Sequence, residues 1–222
     1  MNSHAPRSGR STCRRLAGAV SAAALLTLPG AAFAAAGPSA NEFLHPNGAE
    51  WILPAGDYSG NREVKESEIN AKTVGDMQAA WAFKIPDNSP IEASPIEWHG
   101  TVYLTSAHDE VYAIDAKSGT LKWRYAERPD QLVGFQRNRG VALLDGNVYV
   151  ATLDGRLVAL DAQTGKKVWD KQEVQDPKDS FYTMQPVPYK GMLILGASNG
   201  DWGGRGEISA FDPKDGKRLW QW

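Results

Sequence analysis

One carboxylate, one guanidinium and one hydroxyl recur at equivalent places in this sequence. Glu92, Asn138 and Thr183 each lie eight residues before a turn glycine (Gly100, Gly146 and Gly191), and Arg139 follows Asn138 directly. Brought together, such side chains can hold a polar, anionic ligand, since the arginine is always charged and the others add directed hydrogen bonds. A second candidate is the run Ala197-Ser198-Asn199-Gly200-Asp201-Trp202-Gly203-Gly204-Arg205-Gly206. Glycine lets the backbone approach a ligand closely, and Asp201 offers a hard oxygen donor to a cation. The same run also reads as a solvent turn in which Arg205 pairs with Asp201. No Ser–His–Asp grouping, metal-spaced histidine pair or phosphate loop stands out, and His45, His99 and His108 sit in turn-like contexts.

The elements that must position these residues are written three times. Ala113, Asp115, Gly119 and Trp123 share their spacing with Ala159, Asp161, Gly165 and Trp169, and with Ala210, Asp212, Gly216 and Trp220. Upstream of each copy a turn glycine precedes an apolar strand: Val102-Tyr103-Leu104, Val148-Tyr149-Val150 and Leu193-Ile194-Leu195. Each unit therefore reads as four short antiparallel strands in roughly 45 residues, the pattern of a β-propeller blade. The fold class is all-β, with blades at about 91–125, 138–171 and 182–222 of a propeller region spanning 80–222. Ala80-Trp81-Ala82-Phe83-Lys84 reads as a lone strand before the first blade. The positions of Glu92, Asn138 and Thr183 read as the start of each blade's innermost strand, and innermost strands line a propeller axis, so Glu92, Arg139 and Thr183 are expected to converge there. Three blades do not close a ring. The sequence thus reads as the N-terminal portion of a longer protein.

Residues 1–34 read as a secretory signal: Arg7, Arg10, Arg14 and Arg15, an apolar run from Leu16 to Leu28, then Ala32-Phe33-Ala34. The run is too short for a transmembrane anchor. Cleavage after Ala34 leaves 188 residues, removes the single cysteine and shifts the net charge from -2 to -6. That excludes a disulfide framework and a cysteine-based zinc site, and gives no electrostatic reason to bind nucleic acid. A lead segment, 35–79, joins the signal to the propeller. Export to a Gram-negative periplasm fits this composition.

The residues also carry a family resemblance. The chain resembles the N-terminal part of a pyrroloquinoline quinone (PQQ)-dependent alcohol dehydrogenase, a quinoprotein with an eight-bladed propeller. The likeness runs through Trp51, Gly56-Asp57-Tyr58, Arg62, Ile69-Asn70 and Ala80-Trp81, then Glu92-Ala93-Ser94-Pro95 and Asn138-Arg139-Gly140. It continues through Asp154-Gly155-Arg156 and the Gly200–Gly206 loop. The resemblance implies that Glu92, Arg139, Thr183, Ser198, Asn199 and Gly200 bind PQQ. It implies that Asp201 ligates calcium, or a lanthanide, at a place where the family usually has Glu. It further implies oxidation of an alcohol, with electrons passed to a cytochrome c, and a catalytic base supplied by a later blade. No catalytic residue is assigned within these residues, and the piece alone is expected to be inactive. The alternative is a non-catalytic periplasmic propeller of the outer-membrane assembly type, which has no need for three polar residues in equivalent axial positions.

Overall fold

Alternating apolar residues and paired turn glycines set the strands. The structure is a computed structural model that describes residues 37–64, 68–86, 88–127, 136–176, 178, 180–198 and 200–222. The signal-like segment 1–34 lies outside them. Three four-stranded antiparallel sheets form in sequence order. The first holds β1 (Ile96–Trp98), β2 (Thr101–Thr105), β3 (Val111–Asp115) and β4 (Leu121–Tyr125). The second holds β5 (Ala142–Leu144), β6 (Asn147–Ala151), β7 (Arg156–Asp161) and β8 (Lys167–Gln172). The third holds β9 (Val187–Tyr189), β10 (Met192–Gly196), β11 (Ile208–Phe211) and β12 (Arg218–Gln221).

Each sheet opens with a two-residue hairpin whose central residues both have positive φ: His99-Gly100 (45° and 71°), Asp145-Gly146 (46° and 86°) and Lys190-Gly191 (48° and 76°). This geometry matches the right-handed twist of the strands, and glycine adopts it without steric cost. Between third and fourth strands the motif aspartate caps the turn. Asp115 Oδ1 accepts from the Lys117 and Ser118 amides, and Asp161 Oδ1 accepts from those of Gln163 and Thr164.

The tryptophans lock one sheet to the next. The Trp123 indole N–H donates to the Ala162 carbonyl at 2.9 Å, and that of Trp169 to the Pro213 carbonyl at 3.1 Å. Each acceptor lies directly after the next copy's motif aspartate. The motif glycine makes room for the ring: a Cβ on Gly165 would come within 2.5 Å of Trp123, and one on Gly216 within 2.8 Å of Trp169. Tyr103 and Tyr149 donate to the same two carbonyls. Trp81 makes the equivalent contact with Ala116 O at 2.9 Å, stacked over Gly119. The residues around it, 80–84, nevertheless form no β-ladder. The expected lone strand is thus corrected, because ladder bonds need a partner strand alongside.

The middle sheet holds the driest part of the core. Val148 through Ala151 and Leu157 through Leu160 are all buried, since this sheet is covered on both faces. In β2 the burial alternates instead. The lead segment adds a five-residue helix, α1 (Ala40–Leu44), started by a capping box between Ser39 and Glu42. Its Phe43 is buried and packs near Tyr58, which meets Tyr189 edge-on. The lead segment also bridges to the first sheet, where Trp51 pairs with Glu97.

Candidate functional site

Three backbone segments, one approaching the first strand of each sheet, run side by side. Ser94 N–H donates to the Arg139 carbonyl at 3.0 Å, and Arg139 N–H donates to the Thr183 carbonyl at 3.0 Å. Glu92, Asn138 and Thr183 sit on these approach segments, four residues before β1, β5 and β9 respectively. This corrects the expectation that they begin the strands. Leaving the strand frees their side chains from the alternation of a sheet. Gly140 (φ 127°) permits the close approach, since a Cβ there would lie 3.0 Å from the Ser94 carbonyl.

The side chains form one polar line. Arg139 Nη2 lies 3.5 Å from Glu92 Oε2, and Arg139 Nη1 donates to Thr183 Oγ1 at 2.7 Å. Thr183 Oγ1 and Ser198 Oγ are 3.0 Å apart. Ser198 is brought in by its own bridge to Phe181, accepted by the Phe181 carbonyl at 2.8 Å. The Arg139 side chain is 47% exposed, so its guanidinium is open to a ligand. Gly200 and Asp201 lie in the 3-10 turn Gly200–Trp202 and are exposed. Asn199 lies outside the described residues. Among the described residues no group of three or more His, Cys, Asp or Glu is placed to hold a metal ion.

Sequence reasoning missed Arg137. Arg137 Nη1 lies 3.0 Å from Glu92 Oε1, so Glu92 bridges two guanidiniums. Its signal was the alternation of Arg137 with Arg139 around a buried residue. Asn138, found by its register, is 1% exposed and faces inward rather than joining the line. Its Nδ2 donates to Asp109 Oδ1 at 2.7 Å and to the Ala151 carbonyl at 2.9 Å. Its Oδ1 accepts from Gly140 N–H at 3.0 Å and Thr105 Oγ1 at 3.1 Å. Asp109 also accepts from Leu153 N–H at 2.8 Å. Burial pushes the Asp109 carboxyl up to about 7, opposed by the bonds from Asn138 and the Leu153 amide.

This arrangement can hold an anion and fix its orientation. Two guanidiniums face one carboxylate, and two hydroxyls extend the line. Comparison with known proteins then gives the lineage. Residues 51–222 match the PQQ family model, "Glucose/ethanol/alcohol dehydrogenase, beta-propeller domain". The chain belongs to this family. It is 36% identical over 211 residues to the quinohemoprotein alcohol dehydrogenase of Comamonas testosteroni, covering 86% of this chain and 30% of that protein. It is 32% identical over 179 residues to the lanthanide-dependent methanol dehydrogenase of Methylacidiphilum fumariolicum, covering 77% of this chain and 29% of that protein. The crystal structure of the Comamonas enzyme superposes with a TM-score of 0.78 at 34% identity, over 85% of this chain and 29% of that one. A europium-containing methanol dehydrogenase gives 0.75 at 31% identity, over 82% and 33%. The chain thus spans about a third or less of these relatives. Partial β-propeller architecture and descent from the PQQ alcohol dehydrogenases are established together.

Proposed function

We propose that this chain supplies part of the PQQ-binding wall of a periplasmic dehydrogenase that oxidises an alcohol and passes electrons to a cytochrome c. The observation that carries the reading is the unbroken line Glu92–Arg139–Thr183–Ser198. Its donor set fits a rigid polycarboxylate with quinone oxygens: guanidinium for charge, hydroxyls for orientation, an open face for entry. PQQ, when bound, supplies the two-electron acceptor that protein side chains lack.

In this reading the Arg139 guanidinium faces a quinone oxygen and stabilises negative charge on it. Glu92 bonds the polar edge of the ring system, and Thr183 donates to a carboxylate. Ser198, with the backbone around Asn199 and Gly200, lines the cofactor. Asp201 offers one carboxylate to calcium or a lanthanide. A hard cation of this kind takes six to eight oxygens, so most ligands come from elsewhere. Glu92 is engaged by Arg137 and Arg139 and receives no proton-transfer role, so the chain binds the cofactor without turning over alcohol. The cytochrome c acceptor is supported by the 1-butanol dehydrogenase (cytochrome c) of Thauera butanivorans, 34% identical over 177 residues. Export is supported by the basic–apolar–small pattern of residues 1–34. Among the described residues no helix is long and apolar enough to cross a membrane.

The test is thermal unfolding with PQQ and calcium. Binding to the native state raises the midpoint by mass action, and Arg139→Ala should diminish the rise. Dye reduction with alcohol and PQQ should show no turnover by this chain. A rise undiminished in Arg139→Ala would refute the site, and turnover would refute the division of labour.

A further inference from the structure

A buried acid next to the polar line has no place in ligand binding. Asp109 lies between β2 and β3, is fully buried, and sits four residues before the motif residue Ala113. Four residues before Ala159 and Ala210 stand Gly155 and Gly206. The backbone explains the first of these glycines: φ is 79° at Gly155 and 64° at Asp109, a region that side-chain-bearing residues seldom adopt, whereas Gly206 lies in the longer loop of the third sheet. Stacking of the sheets does not require a carboxyl group here, because Gly155 holds the same turn without one. A residue held in a sparsely populated conformation, buried and ionisable, points to a specific task.

That task is visible in its bonds. Asp109 reaches from the first sheet to the second and accepts from Asn138 Nδ2 and from Leu153 N–H. With Thr105, Gly140 and Ala151 it fills every hydrogen-bonding position of the Asn138 amide. Asn138 separates Arg137 from Arg139, and both meet Glu92, at 3.0 and 3.5 Å. A hydrogen-bonded residue locked on the inner side thus fixes where its two neighbours leave the backbone. We propose that Asp109 is a positioning residue for the axial site: its carboxyl group fixes Asn138 across the first seam and so sets the two guanidiniums that flank Glu92. The proposal rests on reading that site as one that binds an anionic cofactor.

The test compares Asp109→Asn, Asp109→Gly and the exchange Asp109→Asn/Asn138→Asp, at about pH 8 so that the native carboxyl is charged. PQQ affinity is read by titration, and the Arg137 and Arg139 Hε–Nε signals by NMR of the free protein. Asp109→Asn turns an amide NH2 against one of the two N–H donors, and its PQQ affinity should fall about tenfold, as for loss of a supporting shell. The exchange restores a donor facing an acceptor between the two positions but leaves the Ala151 carbonyl without its donor, and should recover part of that affinity. Both arginine signals should move in the single variant and return in the exchange. Asp109→Gly relieves the backbone and should lose affinity equally, which covers failure of the amide variant to fold. Folded single variants with native affinity and unmoved arginine signals would overturn the proposal. If the native chain takes up no PQQ, the cofactor reading fails, and the arginine signals alone decide the positioning role.

Discussion

The seams at the rim of the sheets and the polar line at their inner end are built on opposite principles. At the rim Trp81, Trp123 and Trp169 do the same thing: each lies over a glycine and donates to the carbonyl after a motif aspartate. At the inner end the copies differ. The equivalent positions hold Glu92, Asn138 and Thr183, and the loop before the third strand holds Asp109, Gly155 and Gly206. Repetition marks what every blade needs in order to stack. Departure from repetition marks what one ligand needs.

The sharpest break in that comparison is Trp123→Ala. It deletes a ring that is 8% exposed together with its bond to Ala162. Chemical denaturation should show a loss of about 3–5 kcal/mol. A loss below about 1 kcal/mol would mean the seams do not hold the sheets together. Gly165→Ala attacks the same seam from the other side, at φ 69° and with a Cβ 2.5 Å from Trp123. It should cost about 2 kcal/mol by the same measurement. Neither variant alters the chemistry of the inner line.

Arg139→Ala should do the reverse. Its side chain is half exposed, so the fold should keep its midpoint while PQQ binds about tenfold more weakly or worse, about 1.4 kcal/mol. Equal loss of stability and affinity would blur the two regions into one.

These two regions differed equally in how far the sequence disclosed them. The Ala–Asp–Gly–Trp spacing announced the sheets because it occurs three times, and the hairpin glycines placed the first turns. The indole–carbonyl bond was not legible, since spacing within a blade says nothing about which blade receives the ring. The helix α1 escaped because five residues show no periodicity, although Ser39 and Glu42 carried its capping signal. At the inner end, counting back from the turn glycines found Glu92, Asn138 and Thr183, with Arg139 directly after Asn138. Arg137, on the other side of Asn138, escaped because its meeting with Glu92 is a tertiary contact. Asp109 escaped because its meaning appears only when it is set beside Gly155 and Gly206. Asp201 was named from its glycine-rich run and from resemblance, and its exposed turn holds no group of metal ligands among the described residues.

The least direct effect is a pH dependence. Burial pushes the carboxyls of Asp109 and Glu97 up to about 7, with a hydrogen bond to Glu50 adding to the rise at Glu97. The native state then holds protons that the unfolded chain has released. Stability contributed by these groups is therefore full below about pH 4 and is lost as pH rises through about 7. Denaturation midpoints should fall across that window, and less steeply in Asp109→Gly. An unchanged slope in that variant would remove Asp109 from the balance.

The most direct test of the central claim is an equilibrium titration of the chain with PQQ, followed by quenching of tryptophan fluorescence, for the native protein and for Arg139→Ala with Thr183→Val. The account predicts saturable binding to the native chain and its loss in the double variant, with the sheets still folded. Binding that is absent from the native chain, or equal in both proteins, would contradict it.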